Sequence, residues 1–206
     1  MQTITIPRVK ICCISSLAEA WIAIRAGASA LGLVSQMPSG PGVISEDLIR
    51  EIALGVPPPI ATFLLTSSQD ADEIIAQQRR CHTNTVQLVD RITSGSYADL
   101  RRGMPGIAIV QVIHVAGPKS VEEARAAAPH VDALLLDSGN PALAVKELGG
   151  TGRTHDWHIS RRICEEAEVP VFLAGGLTPE NVADAVRRVK PFGLDLCSGV
   201  RTDGHL

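Results

Sequence analysis

Eight short, nearly unbroken apolar runs recur along the chain: RVKICCI, ALGLV, IATFLLT, TVQLVD, IAIVQVIH, ALLLDS, VPVFLAGG and FGLDLCSG, spaced roughly evenly from residue 8 to residue 199. A strand that is apolar at almost every position must be covered on both faces, which is the mark of a parallel sheet with helices packed against it. The intervening segments supply those helices. SLAEAWIAIRAG opens on Ser16 and closes at Gly27, SEDLIREIALG runs from Ser45 to Gly55, and TPENVADAVRR offers Thr178 as N-cap with Pro179 at the first helical position. SQDADEIIAQQRR, SVEEARAAA and DWHISRRICEEAE fill three more gaps, and the stretch from Ile92 to Met104 has room for only a short helix.

Strands alternating with helices give either an open doubly wound sheet or a closed (β/α)8 barrel. Eight is the barrel number, no GxGxxG follows the first run, and no low-complexity linker divides the chain. The expectation is one (β/α)8 TIM barrel domain over residues 1–206. It lacks its eighth helix, because only RTDGHL follows the last strand.

Composition narrows the function. The 206 residues are 45% hydrophobic and 20% charged, with a net charge of -3 and 3% aromatics. That balance offers neither a basic field nor stacking platforms for nucleic acid. No apolar run approaches the ~18 residues of a membrane span, and MQTITIPRVK lacks the apolar core of a signal peptide. A cytoplasmic protein is expected, with no membrane and no nucleic-acid partner. Its five cysteines are odd in number and lack paired metal-ligand spacing, so neither a disulfide framework nor a metal site is expected.

Barrels of this kind build their sites at the carboxyl ends of the strands. Those ends hold Cys12, Cys13 and Ser15, then Ser35, Thr66, Asp90 with Arg91, His114, Asp137, Gly175 with Gly176, and Ser198 with Gly199. The last three segments share a theme: GGTG at 149–152, AGGL before a helix start, and CSGV. Glycines leave amides uncovered, and a helix start adds unsatisfied donors and partial positive charge, so the three together suit an anion such as phosphate.

Asp137 ends a run that is otherwise apolar. Beside a dry core the proton-carrying form of a carboxyl is favoured, which suits a general acid, although a loop-capping aspartate would sit there equally well. Cys12 and Cys13 end the first strand, where alternation sends one side chain into the barrel and the other toward the helices. Either could be an inert buried thiol, or one could act as base or nucleophile at the barrel mouth. His114 could be acid, base or donor, or simply structural.

At these residues the sequence resembles the phosphoribosylanthranilate isomerase family of tryptophan biosynthesis. KICCIS matches the family's Lys-Ile-Cys-Gly-Ile-Thr, and LLLD, GGTG followed by DW, and GGLTPENV match its later signatures. The resemblance implies a barrel that performs an Amadori rearrangement of a phosphorylated sugar-amine with no cofactor and no metal. Cys12 would be the general base and Asp137 the general acid. Lys10, Gly150, Gly152, Gly175, Gly176, Ser198 and Gly199 would meet the substrate and its phosphate, with His114, Asp90 and Arg91 as further substrate contacts. A monomer or a homodimer would serve.

Three departures fall on the aglycone side. The family's arginine after the second strand is absent from SQMPSGPGVIS, its Gln-Leu-His-Gly reads QLVD, and its first-motif glycine is Cys13. A charge-assisted hydrogen bond is worth roughly 1.5–3 kcal/mol, so the lost arginine would weaken anthranilate binding by about 10- to 150-fold. Arg91 could replace it, while Asp90 would repel a carboxylated ring. The alternatives are an isomerase for another N-phosphoribosyl amine and a non-catalytic barrel that binds a phosphate ligand.

Overall fold

A computed structural model of the chain describes residues 6–139, 146, 148 and 154–203. All eight apolar runs are strands: β1 (Arg8–Ile11), β2 (Ala30–Val34), β3 (Ala61–Thr66), β4 (Thr85–Leu88), β5 (Ala108–His114), β6 (Ala133–Asp137), β7 (Val171–Leu173) and β8 (Gly193–Leu196). Each pairs in parallel with the next, and β8 returns to β1 through Arg8↔Gly193 to Ile11↔Leu196, so the sheet is a closed barrel. Gly150 and Gly152 lie outside the described residues.

Seven α-helices cover the ring among the described residues: α1 (Leu17–Arg25), α2 (Glu46–Gly55), α3 (Ala71–Cys81), α4 (Tyr97–Gly103), α5 (Lys119–Ala127), α6 (Trp157–Glu166) and α7 (Val182–Val189). After β8 comes one 3-10 turn, Ser198–Val200, and no α-helix among the described residues. Helix starts follow the capping residues. Ser16 accepts from the Glu19 amide, Ser45 from that of Leu48, and Asp156 from that of His158. Thr178 is different. Its carbonyl accepts from Asn181 and Val182 N–H, so a turn through Pro179 precedes α7, whose cap is Asn181.

Strand alternation divides the core in two. Leu31, Leu33, Leu134, Leu136, Ile109 and Ile113 point outward to the helices, while Phe63, Val110, Val112, Leu135, Phe172 and Cys12 fill the barrel itself. This is why the runs had to be apolar at consecutive positions. Inward positions near the top of the ring are polar: Lys10 on β1, Asp137 on β6 and Asp195 on β8.

Lys10 and Asp195 are register partners across the closing seam, and Nζ lies 2.8 Å from Oδ1. Their side chains are 0% and 8% exposed. Burial acts to lower the Lys10 pKa, but the facing Asp195 carboxylate and the neighbouring Cys12 and Cys13 thiols hold it above the ordinary amine range. Burial pushes the Asp195 carboxyl up, against the pull of the Lys10 ammonium. Removing one partner leaves an uncompensated buried charge, whereas removing both does not. Lys10→Met is expected to cost about 3–5 kcal/mol of stability, and the Lys10→Met/Asp195→Leu double variant to recover most of it. Denaturant titration of the two proteins checks this.

Candidate active site

The carboxyl ends of the strands open onto a cleft of about 750 Å³. Cys12, from the residue after β1, and Asp137, the last residue of β6, both line it, together with Asp195, Cys197, Gly175 and Gly176. Cys12 reaches the interior because β1 alternates in register with Lys10. A side-chain carbon placed on Gly32 of β2 would lie 2.8 Å from Cys12 Sγ and 2.9 Å from Lys10 Nζ. The sulfur and the ammonium thus crowd one point above Gly32.

Lys10 itself does not reach the cleft surface, since its ammonium is buried against Asp195. Its place is beneath the Cys12 sulfur. Asp137 Oδ1 accepts from the Ser138 amide at 2.7 Å, which fixes the carboxyl at the strand end. His114 is the register partner of Asp137, and its Nε2 lies 2.9 Å from the Val89 carbonyl oxygen. Its Nδ1 is buried and has no partner among the described residues, as is true of Gln87 Oε1 on the cleft wall.

Cys13 departs from the expected alternation. It too lines the cleft, because its φ of 62° turns the chain into the left-handed region immediately after Cys12. That conformation is natural for glycine and strained for other residues, which accounts for glycine at this point of the resembling motif. Arg201 holds the turn. Its guanidinium donates to the Cys13 carbonyl at 2.6 Å and pairs with Glu19 at 3.1 Å.

The loops after β7 and β8 carry the expected glycines. Gly175 and Gly176 have φ of 84° and 60°. Asn181 ties this loop by donating to the Gly176 carbonyl and accepting from Thr178 N–H. Among the described residues no protein acceptor takes the amides of Gly175, Gly176, Ser198 or Gly199. A side-chain carbon on Gly199 would come within 2.0 Å of the Leu177 carbonyl oxygen, so the two amide-bearing loops touch backbone to backbone.

Asp90 and Arg91 part company. Arg91 is 71% exposed and pairs with Glu123 at 2.8 Å, and it is not among the cleft-lining residues. Asp90 is largely buried and sits 2.5 Å from Lys146 Nζ, so its charge is compensated. Ser39, on the loop after β2, donates to the Lys146 carbonyl at 2.6 Å. Sequence reading missed Lys146, Gln87, Asp195 and Cys197. The last two were legible as inward positions of GLDLC, two residues apart, and Gln87 as a polar residue in an apolar run. Lys146 had no local signal, since its role depends on a contact 56 residues away.

Gly199→Ala must push the β7 and β8 loops apart. The expected outcome is a loss of at least tenfold in affinity for inorganic phosphate, with the far-ultraviolet spectrum unchanged, as read by calorimetry and circular dichroism.

The chain matches the family described as N-(5'phosphoribosyl)anthranilate (PRA) isomerase over residues 9–205. N-(5'-phosphoribosyl)anthranilate isomerase 2 of Methanosarcina mazei is 39% identical over 195 residues, covering 94% of this chain and 85% of the relative. The crystal structure of phosphoribosyl anthranilate isomerase from Thermotoga maritima superposes with a TM-score of 0.79 at 28% identity, over 97% of this chain and 91% of that one. A phosphoribosyl anthranilate isomerase in complex with reduced 1-(o-carboxyphenylamino)-1-deoxyribulose 5-phosphate gives 0.76 at 26%, with the same coverage. With its closed barrel and a full-length match of this kind, the chain belongs to the N-(5'-phosphoribosyl)anthranilate isomerase family.

Proposed function

We propose that this isomerase converts N-(5'-phosphoribosyl)anthranilate to 1-(o-carboxyphenylamino)-1-deoxyribulose 5-phosphate in tryptophan biosynthesis, with Asp137 as general acid and Cys12 as general base. The observation that carries the reading is that both side chains line one cleft, which is also walled by the amide-bearing glycine loops. Asp137 gives its proton to the furanose ring oxygen, the C1–O bond breaks, and the lone pair of the arylamine nitrogen on C1 forms the Schiff base. Cys12 then takes the proton from C2, yielding an enolamine that tautomerises to the ketose. No net oxidation occurs, because the hydrogen lost at C2 is balanced by hydrogen gained at C1.

The ammonium of Lys10, held by Asp195 beneath the sulfur, does not contact the sugar. Gly175, Gly176, Ser198 and Gly199 hold the 5-phosphate through their amides. The aryl group faces the side of the cleft formed by Met37, Pro41, Val89 and Leu148. All 206 residues form one barrel domain in this reading.

A second reading has its own observation. Among the described residues lining the cleft there is no lysine or arginine, and an N-phosphoribosyl amine without a carboxylate would fit such a wall. Turnover of N-(5-phosphoribosyl)aniline at a higher kcat/KM than the anthranilate compound would favour it.

Asp137→Asn and Cys12→Ser are each expected to lower kcat by about 10²–10⁴-fold while leaving binding of the reduced product analogue within a few-fold. Loss of substrate fluorescence follows the first and calorimetry the second. Retention of near-normal kcat in both variants overturns the assignment.

A further inference from the structure

The cleft contains a pair of thiols that the isomerisation does not use. Cys13 Sγ and Cys197 Sγ lie 2.9 Å apart, although the two residues are 184 positions distant in the chain. One follows β1, the other follows β8, and both line the cleft. Both are free thiols, Cys13 being 8% exposed and Cys197 more accessible. The separation is within about 1 Å of a bonded sulfur pair, whose length is about 2.05 Å.

We propose that Cys13 and Cys197 form a reversible dithiol–disulfide site, and that its oxidation by a low-molecular-weight disulfide switches the isomerase off. The site rests on the reading of Cys12 as the base only for the second half of that statement. Several observations support it. Cys13 is bonded directly to Cys12, and Cys197 directly to Ser198, so a covalent link would bind the base and the phosphate amides into one constrained loop. Hydrogen bonding to Cys12 and to Cys197, followed by burial, pushes the Cys13 thiol up, while the same contact with Cys13 lowers Cys197 against the effect of burial. Of the two thiols, Cys197 is the more readily ionised. The more accessible sulfur is the nucleophile, as exchange chemistry requires.

The step balances as two successive displacements. Cys197 thiolate attacks one sulfur of the small disulfide, expelling a thiolate and forming a mixed disulfide. Cys13 loses its proton, attacks the Cys197 sulfur and expels the second thiolate. The protein gives up two electrons and two protons, and the small disulfide becomes two thiols. A reducing dithiol reverses both steps.

The test incubates the full-length protein with oxidised glutathione and maps non-reduced peptides by mass spectrometry, in the wild type and in Cys12→Ser. A Cys13–Cys197 linkage in both proteins, with three remaining free thiols in the wild type and two in Cys12→Ser, is the expected result. It does not depend on catalysis, so it is informative even if the proposed base is wrong. Absence of that linkage in both proteins overturns the site. Activity is then expressed relative to each protein's own untreated rate. The wild type is expected to fall at least tenfold and to recover with dithiothreitol, while Cys197→Ser keeps more than half. Should Cys197→Ser not fold, Cys13→Gly, which relaxes a left-handed backbone, serves the same purpose. A linked wild type with undiminished activity, or a variant inactivated as fast as the wild type, overturns the switch.

Discussion

The closing seam of the barrel depends on one buried ion pair. Parallel strands seven strands apart in the chain gain little until the ring is complete, because their pairing has the largest loop to close. Lys10 and Asp195 sit opposite each other at that seam. Their attraction is specific in a way that the leucines and valines around them are not, since a shift of register by one residue would send the ammonium and the carboxylate to opposite faces. A charged pair in an otherwise apolar interior is a weak stabiliser compared with well-packed hydrocarbon. Its contribution here is to fix which residues of β1 and β8 lie side by side. Register then determines that Cys12 follows an inward position and points into the cleft.

From that alignment the chemistry of the site is assembled in layers. The ion pair forms the floor, and the Cys12 sulfur lies above it over the bare Cα of Gly32. Asp137 reaches in from the far side of the ring, and the glycine loops after β7 and β8 make the remaining wall. Each part comes from a different strand, so no local segment could display the site, yet each lies one or two residues past an apolar run.

That arrangement explains what could be read from sequence. The eight runs and the caps at Ser16, Ser45 and Asp156 are local signals governed by burial and by hydrogen bonding within a few residues, and the strands and helices stand where those signals put them. Cys13 was misread because alternation assumes extended backbone, and its positive φ breaks the rule after a single residue. Thr178 was read as a helix cap, whereas Asn181 competes for the same role and wins by bonding both Thr178 N–H and the Gly176 carbonyl. The pairing of Asp90 with Lys146, and of Arg91 with Glu123, depends on contacts between distant loops and helices that no window of sequence contains.

The backbone contact between Gly199 and Leu177 has a consequence for how such a barrel can diversify. Two loops that meet without any side chain between them cannot be altered one at a time, because a bulge in either displaces the other. Variation is then channelled to the loop after β2, where Met37 lines the cleft and Ser39 meets the Lys146 carbonyl through a single hydrogen bond, so that each can be exchanged individually. A molecule built this way keeps one wall of its cleft fixed while leaving the other free to change.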